Sequence, residues 1–287
     1  MRIEPDMKVL VTGAASGIGR EIVRRLARFE VEFLLVDRDP AGLATLAAEL
    51  EKQNLRATTH TCDLADAAQI DALAVLVQQK WGGLQILINN AGVAWYGPTL
   101  KTPEGEWDRI MAVNLHAPIR LTRRLLPLLL EQPEAHVVNT ASICGLVASS
   151  RLTAYSTSKF GLVGFGEAIR GEFGRFGLGV TTVCPGPVRT NLLTTTPSGR
   201  NDGKIPQPPR WTSTTPEHVA AAVVRGIQRD RAVVVITWMA KLVFWCKSLA
   251  PGLLDALQRI GRSKKIRQKI AKIEANRTEA VVSRRAA

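Results

Sequence analysis

Seven short apolar runs recur along the chain: KVLVTG (8–13), VEFLLVD (31–37), ATTHTCD (57–63), LQILINNAG (84–92), HVVNTAS (136–142), GVTTVCPG (179–186) and AVVVI (232–236). Between them lie stretches with helical spacing of apolar positions, among them Ile18 to Phe29, Pro40 to Gln53, Ala65 to Lys80 and Leu152 to Phe176. Short continuous apolar runs suit parallel strands buried on both faces, and each parallel pair needs a crossover long enough for a helix. The pattern predicts an α/β architecture, a doubly wound seven-stranded parallel sheet flanked by helices, in a single domain over residues 1–236. One region breaks the rhythm: residues 191–215, rich in Pro, Gly, Ser and Thr, are too long for an ordinary connection and predict a mobile or functional loop.

Composition changes this picture little, and charge changes it more. A chain of 287 residues, 46% apolar and 22% charged, is an ordinary globular protein. Cys62, Cys144, Cys184 and Cys246 lie far apart with no C-x-x-C pair, which disfavours a structural zinc site or disulfide framework and suits a reducing compartment. The start, MRIEPDMKVLVTG, carries acids before its first apolar run and has no apolar core with a cleavage site, so no signal peptide and a cytoplasmic setting are expected. Of the net +13, residues 241–287 hold +9, with 12 Lys or Arg against 3 Asp or Glu. The basic character belongs to a C-terminal extension, residues 237–287, and hardly to the body.

Thr12-Gly13-Ala14-Ala15-Ser16-Gly17-Ile18-Gly19 follows the first run directly and opens the first helix. Glycines there let the backbone turn sharply and let a pyrophosphate approach the helix N-terminus, where open N–H groups and the helix dipole favour anions. Alone, the segment reads equally well as a tight turn. The second run, however, ends at Asp37, 18 residues after Gly19, where a carboxylate can accept from the ribose hydroxyls of an adenine nucleotide. The same carboxylate repels a 2′-phosphate, which favours NAD over NADP, while Arg38 next door keeps NADP open.

Tyr155-Ser-Thr-Ser-Lys159 opens a helical stretch, and a spacing of four puts Tyr155 and Lys159 on one face. A phenol has a pKa near ~10, and a nearby ammonium stabilises the phenolate, so such a tyrosine can exchange a proton with an alcohol oxygen. By itself the pair reads as a solvent-facing one, since Y-x-x-x-K occurs by chance on many helices. Ser142 ends a buried run 13 residues earlier, Asn89-Asn90-Ala91-Gly92 ends the fourth run at the same sheet edge, and Asn114 is a polar residue inside an apolar helical stretch.

Together the T-G-x-x-x-G-x-G turn, Asp63-Leu64, N-N-A-G, Asn114, Ser142, Y-x-x-x-K and Pro185-Gly186-Pro187-Val188-Arg189-Thr190 resemble the short-chain dehydrogenase/reductase family in order and approximate spacing, over about residues 7–236. The resemblance implies a Rossmann-type fold and NAD(P)(H)-dependent interconversion of a secondary alcohol and a ketone. It implies Tyr155 as the acid/base, Lys159 as ligand of the nicotinamide ribose and tuner of Tyr155, and Ser142 as holder of the substrate oxygen. Asn114 would hold a water in a relay through Lys159. The cofactor set it implies is Gly13, Ser16, Gly17, Ile18, Gly19, Asp37, Arg38, Asp63, Leu64, Asn90, Ala91, Gly92, Tyr155, Lys159, Pro185, Gly186, Val188 and Thr190. Within that set Asp63 is the adenine contact, Asn90 a cofactor-ribose or strand-end contact, and Thr190 the partner of the nicotinamide carboxamide. Residues 191–215 become the substrate lid. No metal is expected: His60, His116, His136 and His218 are scattered without ligand spacing and read as surface or strand-end residues. Cys144 reads as a wall of the substrate pocket.

In the extension, Lys241, Lys247 and Pro251 interrupt the apolar stretch 232–254, so no spanning helix is expected. Trp238, Phe244 and Trp245 beside lysines fit a peripheral membrane contact, and packing on the body or across a dimer fits as well. Leu253, Leu257 and Ile260, then Ile266, Ile270 and Ile273, predict two short amphipathic helices broken at Gly261. By analogy with family members carrying such extensions the substrate is lipophilic: a steroid, retinoid or lipid-like alcohol or ketone. A homo-oligomer, dimer or tetramer, is expected, and no nucleic-acid partner, since no reading motif accompanies the charge. The competing function classes are a catalytically idle nucleotide-binding scaffold on the same fold and a membrane-recruited protein.

Overall fold

The computed structural model describes residues 1–190, 196–199, 205, 209–250, 252 and 256. The chain divides into two compact units, Met1–Leu242 and Val243–Ala287. In the first, seven parallel strands take the order β3-β2-β1-β4-β5-β6-β7: β1 Lys8–Thr12, β2 Glu32–Asp37, β3 Ala57–Thr61, β4 Ile86–Asn89, β5 Ala135–Thr140, β6 Leu178–Pro185 and β7 Val233–Ile236. Among the described residues the α-helices include α1 Gly17–Leu26, α2 Pro40–Glu51, α3 Ala67–Trp81, α4 Glu104–Met111, α5 Ala117–Leu130, α6 Thr153–Phe173, α7 Pro216–Gln228 and α8 Trp238–Leu249. Thus all seven runs become strands of one doubly wound parallel sheet.

Side chains of successive residues point to opposite faces of a strand, and the two cores follow from that alternation. Val9 and Val11 of β1 face α1 and α7 through Ile22, Leu26, Val219 and Val223, while Leu10 faces α3 and α5 through Leu73, Val77, Leu121 and Leu125. Helix starts are specified locally. Asp39 caps α2 by accepting from the N–H groups of Ala41 and Gly42, with Pro40 next to it, and Asp66 caps α3 by accepting from Ala68. The third run departs from expectation: β3 is half exposed along its length because it is an edge strand with one neighbour, so its Thr and His positions need no apolar side chains. The predicted amphipathic pair at 253–273 and most of 191–208 lie outside the described residues.

His136 takes the strand-end alternative and is wholly buried at the start of β5. The Thr181 hydroxyl donates to Arg231 O at 2.7 Å, so it accepts from His136 Nε2–H at 2.8 Å. That leaves Nδ1 bare, without a partner among the described residues. Burial pulls the imidazole pKa down to about 4. The unfolded chain takes up this proton near pH ~6.5 and the folded chain does not, so stability is full above that pH and falls as pH drops toward the folded value. Chemical denaturation between pH 7 and pH 5, where carboxylates barely titrate, is expected to lose about 2 kcal/mol by pH ~5. His136→Gln should flatten that slope; an unchanged slope would show that another group carries it.

Candidate active site

In a parallel sheet all strand C-termini share one edge, and ligands bind where the strand order reverses, here between β1 and β4. At that point Gly13 and Gly17 have φ of +65° and +53°, a region that glycine enters without strain. A Cβ at Gly19 would lie 2.0 Å from Gly13 O, and one at Gly13 would lie 2.8 Å from Ala91 Cα, so the turn is closed on itself and on the end of β4. Ser16, the N-cap of α1, makes no side-chain capping bond, which leaves the first-turn N–H groups of Gly17, Ile18 and Gly19 to an anion.

The turn is held from both sides. Asn90 Nδ2 donates to Thr12 O at 3.1 Å and to Gly13 O at 3.2 Å, and the N–H groups of Asn90 and Ala91 donate to the Thr12 hydroxyl. Asn90 is therefore a strand-end tie, one of its two expected roles. Asp37 Oδ2 accepts from Ala15 N–H at 3.0 Å and Oδ1 from Asp39 N–H at 3.1 Å, which leaves each oxygen a further lone pair toward a ribose. Asp63 is exposed beside buried Leu64, and its carboxylate accepts from Ala65 N–H at 2.9 Å. Thr190 stands 3.5 Å from where a Gly17 side chain would begin, so Pro185–Thr190 closes the opposite wall. An open helix N-terminus, a glycine cradle and a hydroxyl-seeking carboxylate at the far end fit an adenine dinucleotide.

The reactive side chains gather at the ends of β4, β5 and the start of α6. Ser142 follows β5, and its Oγ accepts from Cys144 N–H at 3.1 Å, so the hydroxyl proton remains to be donated. Tyr155 stands near enough to Ser142 for the two hydroxyls to influence each other. One turn on, Lys159 Nζ lies 5.7 Å from the Tyr155 ring centre and donates to Thr140 O at 2.8 Å. Asn114 occupies a π turn, Ala112–His116, between α4 and α5, a form that concentrates at functional sites. Its amide is bonded to both backbone groups of Val93 at 2.8 Å and donates to Ser158 Oγ at 3.2 Å. Asn114 Oδ1 and Lys159 Nζ both approach Gly92, each 3.5 Å from its would-be Cβ.

Electrostatics at this pair is dominated by desolvation. Burial pushes the Tyr155 hydroxyl well above its ordinary value, opposed by the nearby Ser142 hydroxyl, and burial pulls Lys159 down to about 8. Desolvation disfavours each charged form, so it favours the neutral phenol and the neutral amine. Cys144 is a poor nucleophile for the same reason, as burial raises its thiol pKa.

Every residue expected at the reactive centre, Asn114, Ser142, Tyr155 and Lys159, arrives there. Three contributors were not foreseen: Thr12, whose hydroxyl binds two N–H groups; Thr140, whose carbonyl anchors Lys159; and Ser158, partner of Asn114. Among the described residues no cluster of His, Cys, Asp and Glu could hold a metal ion, and no helix is long and apolar enough to cross a membrane.

Residues 7–201 match the family model described as short chain dehydrogenase. A probable oxidoreductase, EphD, of Mycobacterium tuberculosis is 32% identical over 89% of this chain, which spans only 45% of that relative's length. A putative ketoacyl reductase of Streptomyces coelicolor is 36% identical over 67% of this chain and 74% of its own. A short-chain dehydrogenase/reductase from Burkholderia phymatum in complex with NAD superposes with a TM-score of 0.78 at 23% identity, covering 88% of this chain and 97% of that one. A metagenomic short-chain oxidoreductase in complex with NADP gives 0.69 at 29% identity, covering 82% and 98%. With the glycine-rich turn, the sheet order and the Ser142–Tyr155–Lys159 cluster on one edge, these matches make the chain a member of the short-chain dehydrogenase/reductase family.

Proposed function

We propose that this oxidoreductase interconverts a lipophilic secondary alcohol and its ketone with NAD(H), working as a homo-oligomer and as a peripheral protein at membrane surfaces. The observation that carries the reaction type is the Tyr155 ring beside Ser142 at one strand exit, with Lys159 Nζ 5.7 Å from the ring centre and held by Thr140 O.

When bound, the nicotinamide cofactor supplies hydride chemistry. The chain supplies position and the proton. Ser142 Oγ, its lone pair already taken by Cys144 N–H, donates to the substrate oxygen and aligns it with Tyr155. Tyr155 gives its proton to that oxygen as negative charge develops, and takes it back in the alcohol-oxidising direction. Lys159, held by Thr140 O, keeps a positive charge beside the phenolate so formed and faces the cofactor ribose. Asn114, fixed by Val93 and Ser158, holds the water through which Lys159 reaches solvent. Gly13, Ser16, Gly17, Ile18 and Gly19 would hold the cofactor's pyrophosphate, Asp37 its adenosine ribose, Asp63 and Leu64 the adenine, and Pro185 through Thr190 the nicotinamide. Asp37 supports NAD over NADP because a carboxylate at the end of β2 would repel a 2′-phosphate.

A lipophilic substrate is supported by the ketoacyl reductase name of one relative, and residues 191–215 would act as its lid. On α8, Trp238, Leu242, Trp245 and Leu249 recur at helical spacing, and each is at least 50% exposed. Aromatics with lysines on one helix, followed by a strongly basic segment, are suited to an anionic bilayer surface.

Tyr155→Phe keeps the ring and removes the acid, so ketone reduction with NADH is expected to fall ~10²–10⁴-fold while nucleotide affinity is held; turnover within threefold of wild type would reject the assignment. Asp37→Ala is expected to weaken NAD more than NADP in parallel binding titrations, and a wild-type preference for NADPH would show that Arg38 dominates. In vesicle flotation the protein should bind anionic vesicles, less at high salt because charges are screened over ~8–10 Å, but still measurably through the aromatic contribution. The variant Trp238→Glu/Trp245→Glu should lose that salt-resistant fraction; equal, negligible flotation of both proteins would reject the anchor.

A further inference from the structure

Beyond the reactive cluster, residues 93–99 after β4 hold a distant part of the chain. Tyr96 N–H donates to Pro197 O at 3.1 Å and Gly199 N–H donates to Tyr96 O at 2.9 Å, making an isolated parallel bridge between Tyr96 and Ser198. The same stretch is tied to the approach to α6: Gly97 N–H donates to Arg151 O at 2.9 Å, and the Thr99 and Thr153 hydroxyls are 2.7 Å apart. Trp95 lies at the centre of this junction, 5% exposed, packed with Ile110 of α4 and with Ala154, the residue before Tyr155.

The indole is enclosed by two glycines. A Cβ at Gly199 would fall 2.6 Å from Trp95 Cζ2 and 2.7 Å from Cη2, and one at Gly97 would fall 2.5 Å from Cη2 and 2.8 Å from Cζ3. Neither glycine has a positive φ, so no backbone conformation demands glycine at either place. What excludes a side chain is the ring itself. A single bridge with two hydrogen bonds stabilises a segment only weakly. A large aromatic surface removed from water is the greater contribution.

We propose that Trp95 is a specificity-determining positioning residue: it seats residues 196–199 against the head of the helix that carries Tyr155, and so sets the length of alcohol or ketone the site accepts. The inference rests on the alcohol–ketone reading of that site. Because the indole shares one apolar cluster with Ala154 and fills the space against Gly199, the size of the ring sets how closely segment and helix approach. A methyl group at Gly199 would lift the segment, and a smaller residue at position 95 would make room for it.

The test uses the full chain as Gly199→Ala, Trp95→Leu and the double variant. Hydrogen exchange is read at the Tyr96 and Gly199 amides, and steady-state reduction with NADH is measured on methyl ketones from 2-butanone to 2-decanone. Gly199→Ala is expected to speed exchange at both amides about tenfold and to raise KM for the longer ketones by a similar factor, with kcat and NADH affinity within about twofold. The double variant should regain slow exchange and low KM and shift its preference toward longer ketones. Unchanged exchange and KM in Gly199→Ala, or a double variant no better than the single one, would overturn the proposal. If Gly199→Ala does not fold, Trp95→Leu alone decides, by a change of chain-length preference or its absence. Exchange that responds as expected in a protein that reduces none of the ketones keeps the seating role and rejects the alcohol–ketone reading.

Discussion

An ammonium group taken out of water has to be given partners or it loses its proton, and at Lys159 the architecture of the site follows from that requirement. With 2% of its surface exposed, Lys159 meets one backbone oxygen at the end of β5, Thr140 O, at 2.8 Å. This bond fixes the rotation of α6 about its axis, because the lysine must point into the sheet edge. Tyr155, one turn earlier, is then forced to face the same crevice and meets Ser142, two residues beyond Thr140 on the same strand exit. The reactive geometry is thus a consequence of docking one helix on one strand end, with Asn114 and Ser158 bracing the other side.

The same burial explains why the cluster is tuned as an acid. An unscreened lysine–tyrosine pair would favour phenolate and ammonium together; desolvation works against both, lowering one pKa and raising the other. A neutral phenol next to a reluctantly charged amine is a combination ready to give a proton to an oxygen that is gaining charge. Cys144 and Cys184, close enough to raise the tyrosine further, add to this apolar surrounding without acting as nucleophiles.

Much of this was legible in the chain because side-chain identity carried it. The apolar runs are strands since buried parallel strands need apolar residues on both faces, and the glycines of the first turn are there because of positive φ or close approach. What escaped reading depends on partners that leave no mark in residue type. Thr140 acts through its carbonyl, which any residue could offer; β3 looked like an apolar run until its place at the edge relieved it of one neighbour. His136 is enclosed because a tertiary contact with Thr181 satisfies one nitrogen. Gly97 and Gly199, about a hundred residues apart, acquire meaning only when both are found against Trp95.

Asp37 is committed to the turn through Ala15 N–H, besides the ribose contact proposed for it. Its second carboxylate oxygen also steadies the approach to α2 through Asp39 N–H. A lineage drifting from one dinucleotide to the other could not trade this acid for a small or basic residue in a single step without loosening the phosphate-binding turn at the same moment. The accessible route runs through neighbours first, with Arg38 recruiting the extra phosphate while the carboxylate remains, so that intermediates on that path would accept both cofactors before preferring either.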